Sequence, residues 1–314
     1  MLVTDTETGQ TTGTVLTGRN NIFTVDTEFG SLLCRLKGKR LDIEERSYSP
    51  LSPGDLVTLS ELDTGNSTAI IDDRLTRRNA FERYNVKRNL PQTLAANVDQ
   101  ALCVSSLHHP RFRPRFVDRF LALCEFQGVA GGVVLNKSDL DTGQAPDIVS
   151  LYGGIGYPVS VVSATEGSGL EALKVAIEGV RTVLVGQSGV GKSALLNAIV
   201  GTEVQRTGEI SARYLRGRHT TNAGRLLKTA SAEIIDTPGI RDLDVRLIST
   251  GELAWCYREF RPFMGTCKHG DCSHVEEPGC GIERACKDGE IPPARYESYC
   301  RLHAELQHVE TEQS

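Results

Sequence analysis

The pattern G-x-x-x-x-G-K-S runs from Gly186 to Ser193, and few folds can hold it. It follows the apolar run Thr182, Val183, Leu184 and Val185. It opens a helical pattern carrying Leu195, Leu196, Ile199 and Val200, closed by Gly201. A buried strand, a glycine-rich turn and a helix start are the context this motif requires. Gly186, Gln187, Ser188, Gly189, Val190 and Gly191 turn successive backbone N–H groups into one concavity, and the glycines let phosphate approach the backbone. The helix start adds unsatisfied N–H donors and a partial positive charge. Lys192 is expected to reach the β- and γ-phosphates, and the Ser193 hydroxyl to ligate Mg²⁺. The chain is expected to bind a nucleoside triphosphate.

Three further stretches narrow the nucleotide to GTP. Asn136, Lys137, Ser138 and Asp139 form N-K-x-D after the strand-like run Val133 to Leu135. A carboxylate at Asp139 accepts both the ring N1–H and the exocyclic amine of guanine. Adenine has no donor there, and such rejection reaches about 10⁴-fold. Lys137 is expected to pack along the base and Asn136 to brace the loop. Ser163 and Ala164, after Val161 and Val162, suit a loop that contacts the guanine carbonyl. Asp236 to Gly239 reads D-x-x-G after Ile234 and Ile235: Asp236 serves Mg²⁺ and the Gly239 N–H senses the γ-phosphate. Thr220 and Thr221 are the candidate switch threonines for Mg²⁺, with Thr221 preferred. The order is rotated, because the guanine-reading motifs precede the phosphate loop. A doubly wound sheet tolerates such permutation when its ends lie close together. The rotation makes D-x-x-G the last element before the C-terminal region, so a hinge is expected near 240–243.

The 314 residues suggest two or three domains. Residues 1–66 read as a barrel domain with a frayed N-terminal tail; about five short strands between 13 and 62 suit a small closed barrel such as an OB-fold. Residues 67–240 read as a doubly wound α/β unit that includes a polar, Arg-rich connector at 67–90. Residues 241–314 read as helical, with a helix over 247–260 and another over 295–309. No apolar run is long enough to span a membrane, and nothing near Met1 resembles a signal peptide, so a cytoplasmic location is expected. The net charge of −5 lies in residues 241–314, which hold nine basic and fourteen acidic side chains. The remainder is neutral, with basic clusters at Arg35 to Arg40, Arg74 to Arg88, Arg111 to Arg119 and Arg213 to Arg218 that suit a phosphate backbone.

Six of the nine cysteines fall between Cys256 and Cys300, and an odd count without an export signal argues for metal rather than disulfides. Cys267, Cys272, His274 and Cys280 give C-x₄-C-x-H-x₅-C, a closed Cys₃His set that suits one structural Zn²⁺. His269, Cys256, Cys286 and Cys300 are rival ligands or buried thiols. Two other function classes remain open on the residues alone: an ATP-using P-loop kinase, and a zinc-stapled RNA-binding module whose nucleotide is only a conformational switch.

The rotated motif order, the N-terminal barrel and C-x₄-C-x-H-x₅-C together resemble the RsgA/YjeQ family of circularly permuted GTPases over essentially the whole chain. Further matching stretches are Ala95 to Gln100, Arg119 to Leu121 and Gly156 to Val159. The resemblance implies an N-terminal OB-fold β-barrel, a central circularly permuted P-loop GTPase domain and a C-terminal α-helical zinc-binding domain. It implies a monomer that binds the small ribosomal subunit and its 16S-type rRNA, and a slow GTP phosphohydrolase stimulated by that subunit and released on hydrolysis. It also implies that His219 replaces the usual water-orienting glutamine, whose position here holds Ile240. Because the C-terminal region is acidic, the barrel, the connector and the first switch are the expected rRNA surfaces.

Overall fold

The structure is a computed structural model that describes residues 11–38, 49–207, 224–240 and 242–313. His219, Thr220 and Thr221 therefore lie outside the described residues, as do Arg213, Arg216 and Arg218.

Five strands close a barrel: β1 (Thr11–Arg19), β2 (Ile22–Thr27), β3 (Gly30–Leu36), β4 (Leu56–Asp63) and β5 (Thr68–Arg74), in the order β1-β2-β3-β5-β4. Asn20 and Asn21 both take positive φ in the first hairpin, the conformation a tight two-residue turn demands. Alternation along β3 turns Leu32, Cys34 and Leu36 inward onto Val15, Phe23, Val25, Val57, Leu59 and Ile71. β5 lies beyond the expected boundary at 66, pairing parallel with β3 and antiparallel with β4. Its outward residues include Asp72 and Asp73, and only Ala69 and Ile71 are buried, so its apolar signal is weak.

The remainder of the 67–90 segment is also ordered into structure rather than serving as a loose connector. A hairpin of β6 (Ala80–Asn85) and β7 (Leu90–Ala96) follows, and arginines before and within it pair with the protein's own groups. Arg77 donates to both carboxylate oxygens of fully buried Asp55 at 2.7 and 2.8 Å, Arg78 pairs with Asp99, and Arg83 donates to Gln92.

The central sheet has six strands: β8 (Gln100–Ser106), β9 (Ala130–Asn136), β10 (Val159–Val161), β11 (Arg181–Val185), β12 (Arg225–Lys228) and β13 (Glu233–Asp236). Their order is β10-β9-β8-β11-β13-β12, parallel throughout except for β12. Helices α1 (Pro114–Phe126), α2 (Ala145–Gly154), α3 (Leu170–Ile177) and α4 (Lys192–Thr207) complete the unit. Period-two alternation splits the strand residues between two cores. Leu102, Val104, Val134, Leu184 and Ile234 pack with residues of α3 and α4. Cys103, Val133, Leu135, Val183 and Ile235 pack with α1 and with the C-terminal region.

That second core is continuous across the expected domain boundary. Ile240, Leu243, Val245 and Ile248 are buried in it, together with Tyr257, Phe260, Ile282 and Tyr299. Ile240 and Leu243, the two ends of the segment expected as a hinge, are thus packed into this core. The expected helix over 247–260 is one turn, α5 (Thr250–Leu253), followed by 3₁₀ turns at Ala254–Cys256 and Arg258–Phe260. Leu253, Ala254, Cys256, Tyr257 and Phe260 are buried together, a spacing that would also fill one face of a continuous helix, which is why the stretch reads as helical. Two helices follow, α6 (Gly281–Lys287) and α7 (Pro293–Gln313).

Arg295 of α7 is the bolt between the units. It is 1 % exposed, donates to Asp118 of α1 at 2.5 Å and to Glu259 at 2.6 Å, and lies 4.4 Å over the Tyr257 ring. Tyr152 of α2 donates to the same Asp118 at 3.0 Å. Arg258 and Arg261 both pair with Glu125 at the end of α1. Deleting one member of a buried ion group strands the other. Asp118→Ala is expected to cost about 3–5 kcal/mol in urea unfolding, and adding Arg295→Met to recover little of that loss, because Glu259 is then left buried without its cation.

Candidate nucleotide site and metal centre

Every strand of the parallel sheet delivers one part of the site at its carboxyl end, the edge where such sheets take ligands. β11 leads into Gly186, where a Cβ would lie 2.3 Å from the Val104 carbonyl oxygen, so no larger residue fits that approach to β8. Gly189 and Gly191 carry φ of +83° and +92°. Val190 is buried at the foot of α4, while Ser193 is exposed in its first turn. Lys192 is buried and folds back over the loop, its Nζ donating to the Gly186 carbonyl at 2.6 Å and the Gln187 carbonyl at 3.2 Å.

Asn136 joins three loops. Its Nδ2 donates to the Val190 carbonyl at 3.0 Å, and its Oδ1 accepts the Ala164 N–H at 3.1 Å. Gly191 packs so closely beneath it that a Cβ there would lie 2.3 Å from the amide nitrogen. Gly191→Ala combines that clash with a left-handed φ. It is expected to destabilise the chain by at least about 2 kcal/mol in denaturant titration, and to abolish nucleotide binding.

Lys137 takes φ +65°, and its ammonium donates to the Gly189 carbonyl at 2.8 Å and to the His109 carbonyl. Its stem lies across the rim of the phosphate loop. Asp139 is exposed at the mouth and accepts from the buried Ser163 hydroxyl, which itself takes the Glu166 N–H at 3.1 Å. On the opposite side, Gly239 lies against Ser188, with its would-be Cβ 3.3 Å from Ser188 Cα. The Ile240 N–H donates to the Gly186 carbonyl at 3.1 Å.

Sequence reasoning did not single out Thr237. It is 1 % exposed, and its hydroxyl donates to the Leu184 carbonyl at 2.7 Å, tying D-x-x-G to the phosphate-loop strand. A threonine next to the strand-ending Asp236 was the available signal. The His109 carbonyl was also missed, because a backbone contact leaves no side-chain signature.

The electrostatics are those of a pocket built for a charged ligand. Burial pulls the Lys192 ammonium below its ordinary range, against the raising influence of Asp236. Burial likewise pushes the Asp236 carboxyl up, against the lowering influence of Lys192. Asp236 Oδ1 is buried without a hydrogen-bond partner. An orphaned carboxylate oxygen beside a phosphate loop suits a divalent cation, whereas a purely structural Asp would be paired.

Cys267, Cys272, His274 and Cys280 converge, with all ligand atoms within 4.8 Å of one another. His274 Nδ1 lies 3.4 Å from Cys267 Sγ and 3.8 Å from Cys280 Sγ. Tetrahedral bonds of about 2.0–2.3 Å place neighbouring ligands roughly 3.5–3.8 Å apart, so the group can hold a metal ion. The chain around it is arranged for thiolates. The Gly281 N–H donates to Cys267 Sγ at 3.2 Å, and the Glu283 N–H donates to Cys280 Sγ at 3.4 Å, both from the start of α6. Against the raising effect of burial, the Ser273 hydroxyl and the N–H groups of Ser273 and Val275 hold the Glu277 carboxyl down at about 2. His269, Cys256, Cys286 and Cys300 are not members of the four-residue group.

A family model described as RsgA GTPase matches residues 74–246. The chain belongs to the RsgA GTPase family. Relatives of the same name, "Small ribosomal subunit biogenesis GTPase RsgA", span nearly its whole length. The protein from Borreliella burgdorferi strain ZS7 is 38% identical over 296 residues, covering 93% of this chain and 95% of that one. The protein from Gemmatimonas aurantiaca is 36% identical over 310 residues, covering 95% and 98%. Among solved structures, YjeQ from Thermotoga maritima superposes with a TM-score of 0.74 at 32% identity, covering 95% of this chain and 99% of that one. YloQ, described as a circularly permuted GTPase, gives 0.72 at 26% identity, covering 98% and 99%. RsgA membership agrees with the closed barrel, the rotated order of motifs around one sheet and the C-terminal Cys/His cluster. Among the described residues, no helix is long and apolar enough to cross a membrane.

Proposed function

We propose that this chain is a GTPase that binds the small ribosomal subunit during late assembly, hydrolyses GTP faster when bound, and leaves on hydrolysis. The observation that carries the nucleotide assignment is Asn136, which locks the guanine-reading loop to the phosphate loop through Val190 and Ala164. Asp139 reads the base, with Ser163 and Ala164 closing the loop around it, and Lys137 covers the rim. The backbone from Gly186 to Gly191, with Lys192, neutralises the phosphates. Ser193, Asp236 and Thr221 are the residues that would hold Mg²⁺, which supplies positive charge against the β- and γ-oxygens when bound.

Water attack on the γ-phosphorus needs a group to orient it. Ile240 is 3 % exposed, held in the core it shares with Leu243, and has no polar atom to offer. That favours a slow enzyme completed by an outside activator, an arrangement worth about 10³–10⁵-fold elsewhere. His219 is the chain's own candidate for this role. The Cys₃His group is assigned one structural Zn²⁺ on its donor set and closed coordination. The partner is the small subunit and its 16S-type rRNA, engaged by a monomer in the cytoplasm.

The test is co-sedimentation with purified small and large subunits under GDP and a non-hydrolysable GTP analogue, with phosphate release measured alongside. Retention on small subunits only with the analogue, and faster release in their presence, is the expected result. Equal retention on both subunits, or unstimulated release, overturns the reading. His219→Ala is expected to keep GTP affinity and lose the stimulation.

A further inference from the structure

We propose that the segment 108–115, on the rim of the nucleotide site, is a docking surface for the RNA phosphate backbone of the small subunit; the proposal rests on the function given above. The segment leaves β8 and ends in the first turn of α1, and it contains His108, His109, Arg111, Arg113 and Arg115 with no acidic residue. Arg111, Arg113 and Arg115 are exposed and have no carboxylate partner among the described residues. The first turn of α1 carries no acid either. The nearest acid along the chain is Asp118, which is buried and committed to Arg295 and Tyr152.

Other arginines that the sequence grouped into basic clusters are engaged internally. Arg77 is held by Asp55, Arg78 by Asp99, Arg83 by Gln92, and Arg119 by Glu305. The acidic C-terminal region offers no comparable run. The weight of the RNA surface thus moves from the expected 67–90 segment to this rim.

The segment is also pre-shaped. The Ser106 hydroxyl donates to the His108 carbonyl at 2.6 Å and accepts the His108 N–H at 3.2 Å. Lys137 holds the His109 carbonyl, and Pro110 rests 3.7 Å from where a side chain on Gly189 would start. Phe112 turns inward to meet Tyr152 edge-on, with ring centroids 6.2 Å apart, so its neighbours Arg111 and Arg113 are presented outward. Arginine forks on a fixed backbone lose little freedom when they clamp phosphate oxygens. With Leu107 buried and Phe112 turned inward, the segment has no exposed apolar anchor, which disfavours a lipid surface.

The experiment compares the wild type with the triple variant Arg111→Gln, Arg113→Gln, Arg115→Gln. Equilibrium binding is measured with a non-hydrolysable GTP analogue, to purified small subunits and to naked small-subunit rRNA, across a range of KCl. Nucleotide affinity and basal hydrolysis are expected to be unchanged, which verifies folding. Binding to both RNA targets is expected to weaken at least tenfold, with the salt slope lowered by about three, one for each cation removed. Arg113→Gln alone should lower it by about one. Unchanged slopes overturn the proposal. Loss on intact subunits with unaltered binding to naked rRNA overturns it as well, in favour of a ribosomal-protein contact. Failure of the wild type to bind subunits at all would remove the proposed function first, and this surface with it.

Discussion

Asp139→Asn is expected to weaken GTP binding on the order of 10⁴-fold and to bring xanthosine triphosphate into competition. The carboxylate at Asp139 offers two acceptors to two guanine donors. An Asn amide replaces one acceptor with an N–H that faces the exocyclic amine, donor against donor. Xanthine carries a carbonyl where guanine carries that amine, so the same amide then finds an acceptor. The neighbourhood is suited to the exchange, because the Ser163 hydroxyl that donates to Asp139 Oδ1 can equally donate to an amide oxygen. Equilibrium titration with fluorescent guanine and xanthine nucleotides measures both sides. Undiminished guanine affinity in the variant would detach Asp139 from the base.

Removal of the metal is expected to have the largest effect on stability. Structural zinc in small domains contributes about 10–16 kcal/mol to folding, more than the whole net stability of many domains. One zinc per chain is the expected content by elemental analysis, and Cys272→Ser should lower it sharply. Chelation should also damage more than the Cys/His loop. α6 is capped by Cys280, and its first N–H groups donate to Cys267 and Cys280 sulfurs. The hydroxyls of Tyr296 and Tyr299 on α7 hold the Val275 and Ser273 carbonyls beside the cluster. α7 carries Arg295 into the buried ion group on α1. Loss of the ion should therefore lower the melting temperature of the GTPase unit too, as one shared transition. A zinc-free chain with an unchanged melting curve would refute this.

Much of the geometry of the candidate nucleotide site was legible because it is local. Glycines at fixed spacing, a strand before them and a helix after them specify the loop from Gly186 to Ser193 without long-range information. Asn136 reads as a brace in the sequence, and its bonds to Val190 and Ala164 are of that kind, although neither partner is marked there. The Cys/His spacing likewise named four residues that converge. What stayed hidden depended on tertiary partners. β5 shows only Ala69 and Ile71 to the core, so its pattern looks polar until β3 and β4 are placed beside it. The 67–90 arginines look like a free basic run because Asp55 and Asp99, which pair with Arg77 and Arg78, lie outside that stretch of sequence. The path over 247–260 looks helical by composition, yet a shared core with α1 bends it into short turns.

The strand order also has a consequence for synthesis. β11 sits between β8 and β13, yet Val185 lies 79 residues beyond Ser106. At about 5–20 residues per second, the nascent chain carries β8, β9 and β10 for several seconds with the β8 edge unpaired. That edge, Ala101 to Val104, is wholly apolar and is later buried. α1 and α2 can shield one face during that interval and α3 the other, but the β8 edge itself stays open until β11 is made. The rotated gene order thus leaves a sticky half-sheet on the translating ribosome, which makes this chain a candidate for chaperone capture before its nucleotide loop has been made.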